Sequence, residues 1–172
     1  MSRSKKLIVT ALFLIGACIL LYPAVSNKLA ERHQAEMISR YEQTVEELPK
    51  TDMKSEWEKA VKYNESVTGM SVEDPFILGS GSVLPGNYKD VLNVEEKEGV
   101  MGYIEIPAID VMLPIYHGVS ERVLRRGVGH METTALPIGG KGTHSVLASH
   151  RGLSTAKLFT DLDRMKEGDL FY

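Results

Sequence analysis

The chain has 172 residues, a single cysteine and a net charge of -3 at pH 7, from 20 Lys and Arg against 23 Asp and Glu. Its 43% apolar and 25% charged content is that of an ordinary globular protein, which excludes collagen-like, disulfide-scaffold and disordered acidic classes. Lys and Arg are scattered along the chain, so the clustered basic face that nucleic-acid binding requires is missing and no nucleic-acid partner is expected.

The first element is apolar. Residues 7–25 are rich in Leu, Ile, Val and Ala, and no charged residue occurs from Leu7 to Asn27. Such a stretch is long enough to cross a hydrocarbon core of about 30 Å as a helix. Arg3, Lys5 and Lys6 precede it; setting them aside leaves 17 basic residues against 23 acidic, a net charge near -6. A basic flank and an acidic body predict a single-pass N-terminal anchor in the cell membrane with an extracytoplasmic domain, by the positive-inside rule. The length of the span and the lack of a small-x-small site near Tyr22, Pro23 and Val25 favour an uncleaved anchor over a signal peptide. Cys18 lies inside this span and reads as a small membrane-facing residue. The exported part has no cysteine and must fold without disulfides.

Residues 28–48 are helix-favouring, with Leu29, Met37, Tyr41, Val45 and Leu48 on a helical stripe. Pro49 interrupts them. Thr51 and Asp52 can cap a second helix from 53 to about 65, given an apolar side by Trp57, Val61 and Tyr63. Together these helices read as a loosely packed stalk. Residues 66–90 are rich in Gly, Ser, Pro and Asn, a long irregular connection of the kind that is functional or disordered. Beyond it the pattern is one of short strands and turns. Residues 100–106 alternate loosely and stop at Pro107. Residues 111–116 form a second strand, where Pro114 suits an edge or a bulge. Ser120 can cap a short helix through Arg125. Gly139, Gly140 and Gly142 make a turn. Residues 143–149, with Val146, Leu147 and Ala148 at their centre, fit a strand buried on both faces. Ser154 begins a small amphipathic helix carrying Leu158, Phe159, Leu162 and Met165, and residues 170–172 start another strand.

The residue with the clearest chemical meaning is His150. It stands where an apolar strand emerges into a loop, which combines rigid support with solvent access. Histidine can give or take a proton near neutral pH. His117, His130, His144 and His150 match no metal-ligand spacing, and neither a metal nor a cofactor is expected.

Several segments together resemble the class C, pilus-assembling sortases. Thr143-His144-Ser145-Val146-Leu147-Ala148-Ser149-His150-Arg151-Gly152 is similar to the catalytic-histidine segment of that family. Gly102-Tyr103-Ile104-Glu105-Ile106-Pro107 and Leu113-Pro114-Ile115-Tyr116-His117-Gly118 resemble the first strands of its barrel, and Val123-Leu124-Arg125-Arg126-Gly127-Val128-Gly129-His130 the segment after them. Asp74-Pro75-Phe76 resembles the class C lid motif, and Tyr22-Pro23 is typical of the end of its anchor. The resemblance implies a mainly β fold with flanking helices: a sortase-type β-barrel, incomplete in this chain, preceded by a transmembrane helix and a helical stalk. The implied division is 1–27 cytoplasmic flank and anchor, 28–68 stalk, 69–90 lid loop, and 91–172 the N-terminal part of the barrel domain. The implied activity is that of a cysteine transpeptidase which cleaves LPxTG-like sorting signals and joins pilin subunits through an acceptor lysine by isopeptide bonds. His150 would be its acid/base, with Asp74, Pro75 and Phe76 as the lid; its partners are pilin subunits and the membrane. The family's nucleophile lies in a Thr-Leu-x-Thr-Cys segment and its arginine later still, and neither occurs in these residues. The expectation is therefore an enzyme of this family represented by a fragment inactive alone. The alternatives are a catalytically dead, truncated sortase-like membrane protein and an unrelated membrane-tethered binding module.

Overall fold

The computed structural model describes residues 2–69, 87–94 and 99–172. Helix α1 runs from Arg3 to Glu47 and helix α2 from Lys50 to Val67. Among the described residues they are followed by strand β1 (Val100–Ile106), β2 (Val111–His117), the short helix α3 (Glu121–Leu124), β3 (Val128–His130) and β4 (Leu147–Ala148). The strands form one open, mixed sheet in the order β1-β2-β3-β4. A closed barrel is not formed by the described strands.

The apolar N-terminal stretch and the following polar stretch are one continuous helix, with Pro23 inside it. Ser2 caps its start, the side chain accepting from the Lys5 N–H. Pro49 ends the run as expected, but it also occupies the cap position of α2. That helix therefore begins at Lys50, ahead of the expected Thr51–Asp52 cap, and its first turn closes on the Pro49 carbonyl. The expected looseness of these helices is corrected. Met37 and Ile38 of α1 are buried, and Ala60, Tyr63 and Val67 of α2 enter the same core as Ile104, Ile106, Leu113, Ile115 and Val128 of the sheet. An apolar stripe on a helix is stabilised by burial at about 25 cal/mol per Å², and the sheet face supplies the cover.

Two buried polar contacts fix α2 on the sheet. Asn64 receives the Leu136 N–H at 2.7 Å and donates to the Leu136 carbonyl at 3.1 Å. Tyr63 donates to the Glu132 carbonyl, and burial, with the Glu132 charge second, pushes its phenol up to about 12.

β1 and β2 pair antiparallel from Ile106 opposite Val111 to Val100 opposite Tyr116, with a bulge between Val100 and Gly102. The Met101 carbonyl at the bulge accepts from Tyr41 of α1, which satisfies a group that the irregular ladder leaves open. Asp110 makes the reversal between the strands in the left-handed region at φ 52°, which Asp tolerates. Pro114 sits in an inner strand and in regular register with Tyr103, where an edge or a bulge was expected of it. It is accommodated because β3 registers with β2 only from Ile115 onward, so its missing N–H faces no third strand.

β2 and β3 are parallel, with α3 in the connection between them. Their close approach requires glycine. A Cβ on Gly127 would stand 2.6 Å from the Pro114 carbonyl oxygen, and one on Gly129 would overlap the Gly118 carbonyl oxygen. β4 pairs antiparallel with β3, Gly129 opposite Ala148 and His130 opposite Leu147.

Two expectations at the end of the chain are overturned. The strand predicted over 143–149 is reduced to Leu147–Ala148 and is half-buried, because β4 is paired on one side only. The helix predicted from Ser154 is replaced by turns and a 3-10 turn at Leu162–Arg164. Leu158 takes a left-handed φ of 43°, which no α-helix tolerates, and both Leu158 and Phe159 are buried. Tertiary burial has overridden a helical pattern there. Residues 170–172 form no full strand, although Tyr172 exchanges two 2.9 Å backbone hydrogen bonds with Glu105 on the free edge of β1.

Candidate active site

His150 follows β4 directly, and the main chain around it is held on three sides. Ser149 donates from its hydroxyl to the Gly127 carbonyl at 2.7 Å, tying the strand end to the α3–β3 junction. The His150 carbonyl accepts from the Phe159 N–H at 3.1 Å. Gly152 turns the chain at φ 81°, and its N–H bonds Thr160 Oγ1 at 3.2 Å. Arg151 is paired with Asp163 at 2.8 Å. A side chain on so constrained a backbone has few orientations to lose, which is the condition for a precise acid/base.

The imidazole is about one-third exposed, and its Nε2 is enclosed by protein. Nε2 lies 3.3 Å from Oε2 of Glu121, the first residue of α3. The distance is that of an ion pair, while the alignment does not make it a hydrogen bond. The other carboxylate oxygen, Oε1, receives Arg125 Nε at 2.7 Å. That hydrogen bond, and after it the nearby His150, hold the Glu121 carboxyl below the usual carboxylate range. Ser120 caps the turn, its hydroxyl accepting from the Val123 N–H. Sequence reasoning placed the cap and the helix correctly. It missed Glu121 and Arg125 as neighbours of His150, because a capped i,i+4 pair announces a helix and says nothing about what the helix faces.

The other histidines go elsewhere. His130 is fully buried: Nδ1 is 3.0 Å from the Tyr88 hydroxyl and Nε2 is 2.9 Å from the Ala135 carbonyl. Burial pushes its pKa down to about 4. His117 has the Gly99 carbonyl at Nδ1 and the Val91 carbonyl at Nε2. His144 is exposed. The lid motif Asp74-Pro75-Phe76 lies outside the described residues. Cys18 is exposed on α1, and the first buried residue of that helix is Gln34. At 1.5 Å of rise per residue the thiol is on the order of 24 Å short of that point, so it cannot serve His150. An apolar cavity of about 340 Å³ between α1, α2 and β1, lined by residues including Trp57, Tyr103 and Tyr172, does not include His150.

The described residues thus form an open mixed sheet packed by two long helices, with a constrained histidine at a strand end. The family is settled by comparison. The model of the sortase domain matches residues 104–172. The crystal structure of sortase C from Streptococcus pneumoniae, described with reference to its catalysis and pilin substrate specificity, is 41% identical with a TM-score of 0.68, covering 80% of this chain and 66% of that one. Sortase C1 from Streptococcus agalactiae is 38% identical with a TM-score of 0.69, over 79% of this chain and 68% of that one. Sortase A of Listeria monocytogenes is 28% identical over 170 residues, 98% of this chain and 66% of that protein. The chain belongs to the sortase family, and its structural likeness is to class C members. It spans about two thirds of the length of these relatives.

Proposed function

We propose that the protein is a class C sortase, a cysteine transpeptidase that joins pilin subunits, with His150 as its acid/base. The observation that carries this reading is the placement of His150, fixed at a strand end with an open ring face, in a chain 41% identical to a sortase C. The proposed reaction uses a cysteine thiolate supplied from outside these 172 residues. The thiolate attacks the Thr carbonyl of an LPxTG-like signal, the Thr–Gly amide bond breaks, and His150 as imidazolium gives its proton to the leaving glycine amine. An acceptor lysine of another pilin subunit then loses a proton to the neutral ring and attacks the thioester. An isopeptide bond forms and the thiolate is released. Acid/base help of this kind contributes about 10²- to 10⁴-fold.

The apolar helix α1, long enough to cross a membrane, supports anchoring, and its basic N-terminal flank supports an extracytoplasmic position for the sheet. We assign Asp74, Pro75 and Phe76 to a lid over the substrate groove. The test is peptide cleavage by the protein expressed from its whole reading frame. The expected results are cleavage between Thr and Gly, a loss of at least about 100-fold in His150→Ala, and faster hydrolysis in Asp74→Ala and Phe76→Ala. Cleavage by His150→Ala at the parent rate overturns the acid/base assignment, and unchanged hydrolysis in both lid variants overturns the lid.

A further inference from the structure

We propose that Glu121 is the positioning residue for His150: its carboxylate faces Nε2 and leaves Nδ1 as the nitrogen that exchanges protons with the reacting groups. The inference rests on the sortase reading of His150 and adds to it the residue that orients the ring.

The geometry is specific about which nitrogen does what. Nε2 is enclosed and its charged neighbour is Glu121 Oε2 at 3.3 Å, whereas the ring as a whole keeps about a third of its surface open. A proton on Nε2 therefore lies within ion-pair distance of a carboxylate, and a lone pair there would lie against negative charge. The first state is favoured and the second is not. In the neutral ring this fixes the proton on Nε2 and the lone pair on Nδ1, so Nδ1 accepts. In the charged ring Nδ1 donates. A carboxylate behind an imidazole performs the same office in hydrolytic triads, holding the tautomer and stabilising the imidazolium without itself taking the proton.

Glu121 is itself held. Arg125 occupies Oε1 and leaves Oε2 for the ring, and the Ser120 cap fixes the turn that carries both. Several charged groups on the neighbouring segments are paired elsewhere. Arg126 stacks over the Tyr116 ring at 5.1 Å, Arg151 is on Asp163, and Asp161 takes Lys157 and Arg164. Glu121 is thus the carboxylate presented to this imidazole among the described residues.

Two measurements test the proposal. The first is the ring nitrogen-15 NMR signature of neutral His150 in the full chain in detergent micelles, for the parent, Glu121→Gln and Glu121→Asp. Glu121 is exposed at the surface, so neither variant threatens the fold. The parent and Glu121→Asp are expected to hold the proton on Nε2, and Glu121→Gln to shift toward a mixture of the two tautomers. The second is peptide cleavage by the protein from its whole reading frame. Glu121→Gln is expected to lower kcat about threefold with KM unchanged, and the loss is expected to be rescued in Glu121→Asp. An unchanged tautomer signature in Glu121→Gln overturns the pairing whether or not the protein cleaves peptide. A changed signature with unchanged kcat overturns the positioning role. Failure of the parent to cleave an LPxTG peptide overturns the sortase reading on which the proposal rests, and the ring signature still reports the pairing separately.

Discussion

Acid should weaken this fold through His130 before it acts through the general titration of carboxylates. The ring is fully buried, with Nε2 directed at the Ala135 carbonyl and Nδ1 toward the Tyr88 hydroxyl, which in turn receives the Gly118 N–H at 3.0 Å. Removal from water is the main reason its pKa falls from 6.5 to about 4; the Ala135 carbonyl works against that fall and His117 adds to it. The sign follows from linkage. Above pH 6.5 the ring is neutral in both the folded and unfolded chain and costs nothing. As the pH drops below 6.5 the unfolded chain takes up a proton that the folded chain refuses, so stability declines. The decline ends near pH 4, where the folded state is protonated too. The full difference is about 3 kcal/mol, of which roughly 2 kcal/mol is lost by pH 5. With a urea dependence of about 2 kcal/mol per molar, the unfolding midpoint should fall by about 1 M between pH 7 and pH 5. The signal is near-ultraviolet circular dichroism of the full chain in a non-ionic detergent, where the packed rings of Tyr63 and Tyr88, 5.7 Å apart, report loss of the core. The control is His130→Gln, whose amide can still donate to the Ala135 carbonyl but cannot titrate. It should be less stable than the parent at pH 7, by about 1–2 kcal/mol for the weakened Tyr88 contact, and should lose little more on going to pH 5. Equal pH slopes in the parent and His130→Gln between pH 6.5 and 5 would refute the reasoning.

Three further outcomes follow from the same geometry. Asn64→Ala strands the buried N–H and C=O of Leu136 at once and should cost about 3 kcal/mol by urea unfolding at pH 7; a loss below 1 kcal/mol would mean that water replaces both contacts. Gly129→Ala forces a methyl into the Gly118 carbonyl and should destabilise by about 2 kcal/mol or more, with faster amide exchange across β2, β3 and β4, whereas Gly102→Ala, which meets open space on β1, should change stability by less than about 0.5 kcal/mol. Ser149→Ala removes the tie to the Gly127 carbonyl and should lower peptide cleavage by the whole protein several-fold while costing about 1 kcal/mol in stability, because it loosens the support of His150 and not the core.

What could be read from the sequence was what is decided locally. Pro107 and Pro49 stop the elements before them by removing backbone donors, Ser120 caps a helix, and the loose alternation over residues 100–106 and the apolar run over 111–116 mark the two long strands. What could not be read was decided at a distance. Leu158 and Phe159 sit at helical spacing, yet both are buried by a left-handed turn at Leu158 that only the assembled core can stabilise. The run from Thr143 to Ser149 is apolar at its centre, but strand length depends on partners, and β3 offers only two residues of register. The stripe on α1 and α2 was visible, while its cover of sheet residues was not. The fold family was recognisable because several short segments agreed, and the role proposed for His150 rests on the same agreement. Glu121 was not, since its relation to His150 exists only once α3 and β4 are brought together.

That meeting is a product of the glycine-rich β3. Gly127 and Gly129 let the parallel strand approach β2 so closely that α3 is drawn over the junction, and the Ser149 hydroxyl reaches the Gly127 carbonyl on the far side. Two histidines stand at this junction in different surroundings. His130, on β3, is sealed among carbonyls and hydroxyls and is driven toward neutrality by loss of water. His150, at the end of the adjacent strand, keeps part of its ring in solvent and has a carboxylate against its enclosed nitrogen. The first arrangement suits a residue that must never change charge, because a proton on it would be uncompensated in the core. The second suits the acid/base role proposed for His150. The residue type is the same in both places, so the division between structural and chemical histidine is set by what the crossover packs against each ring.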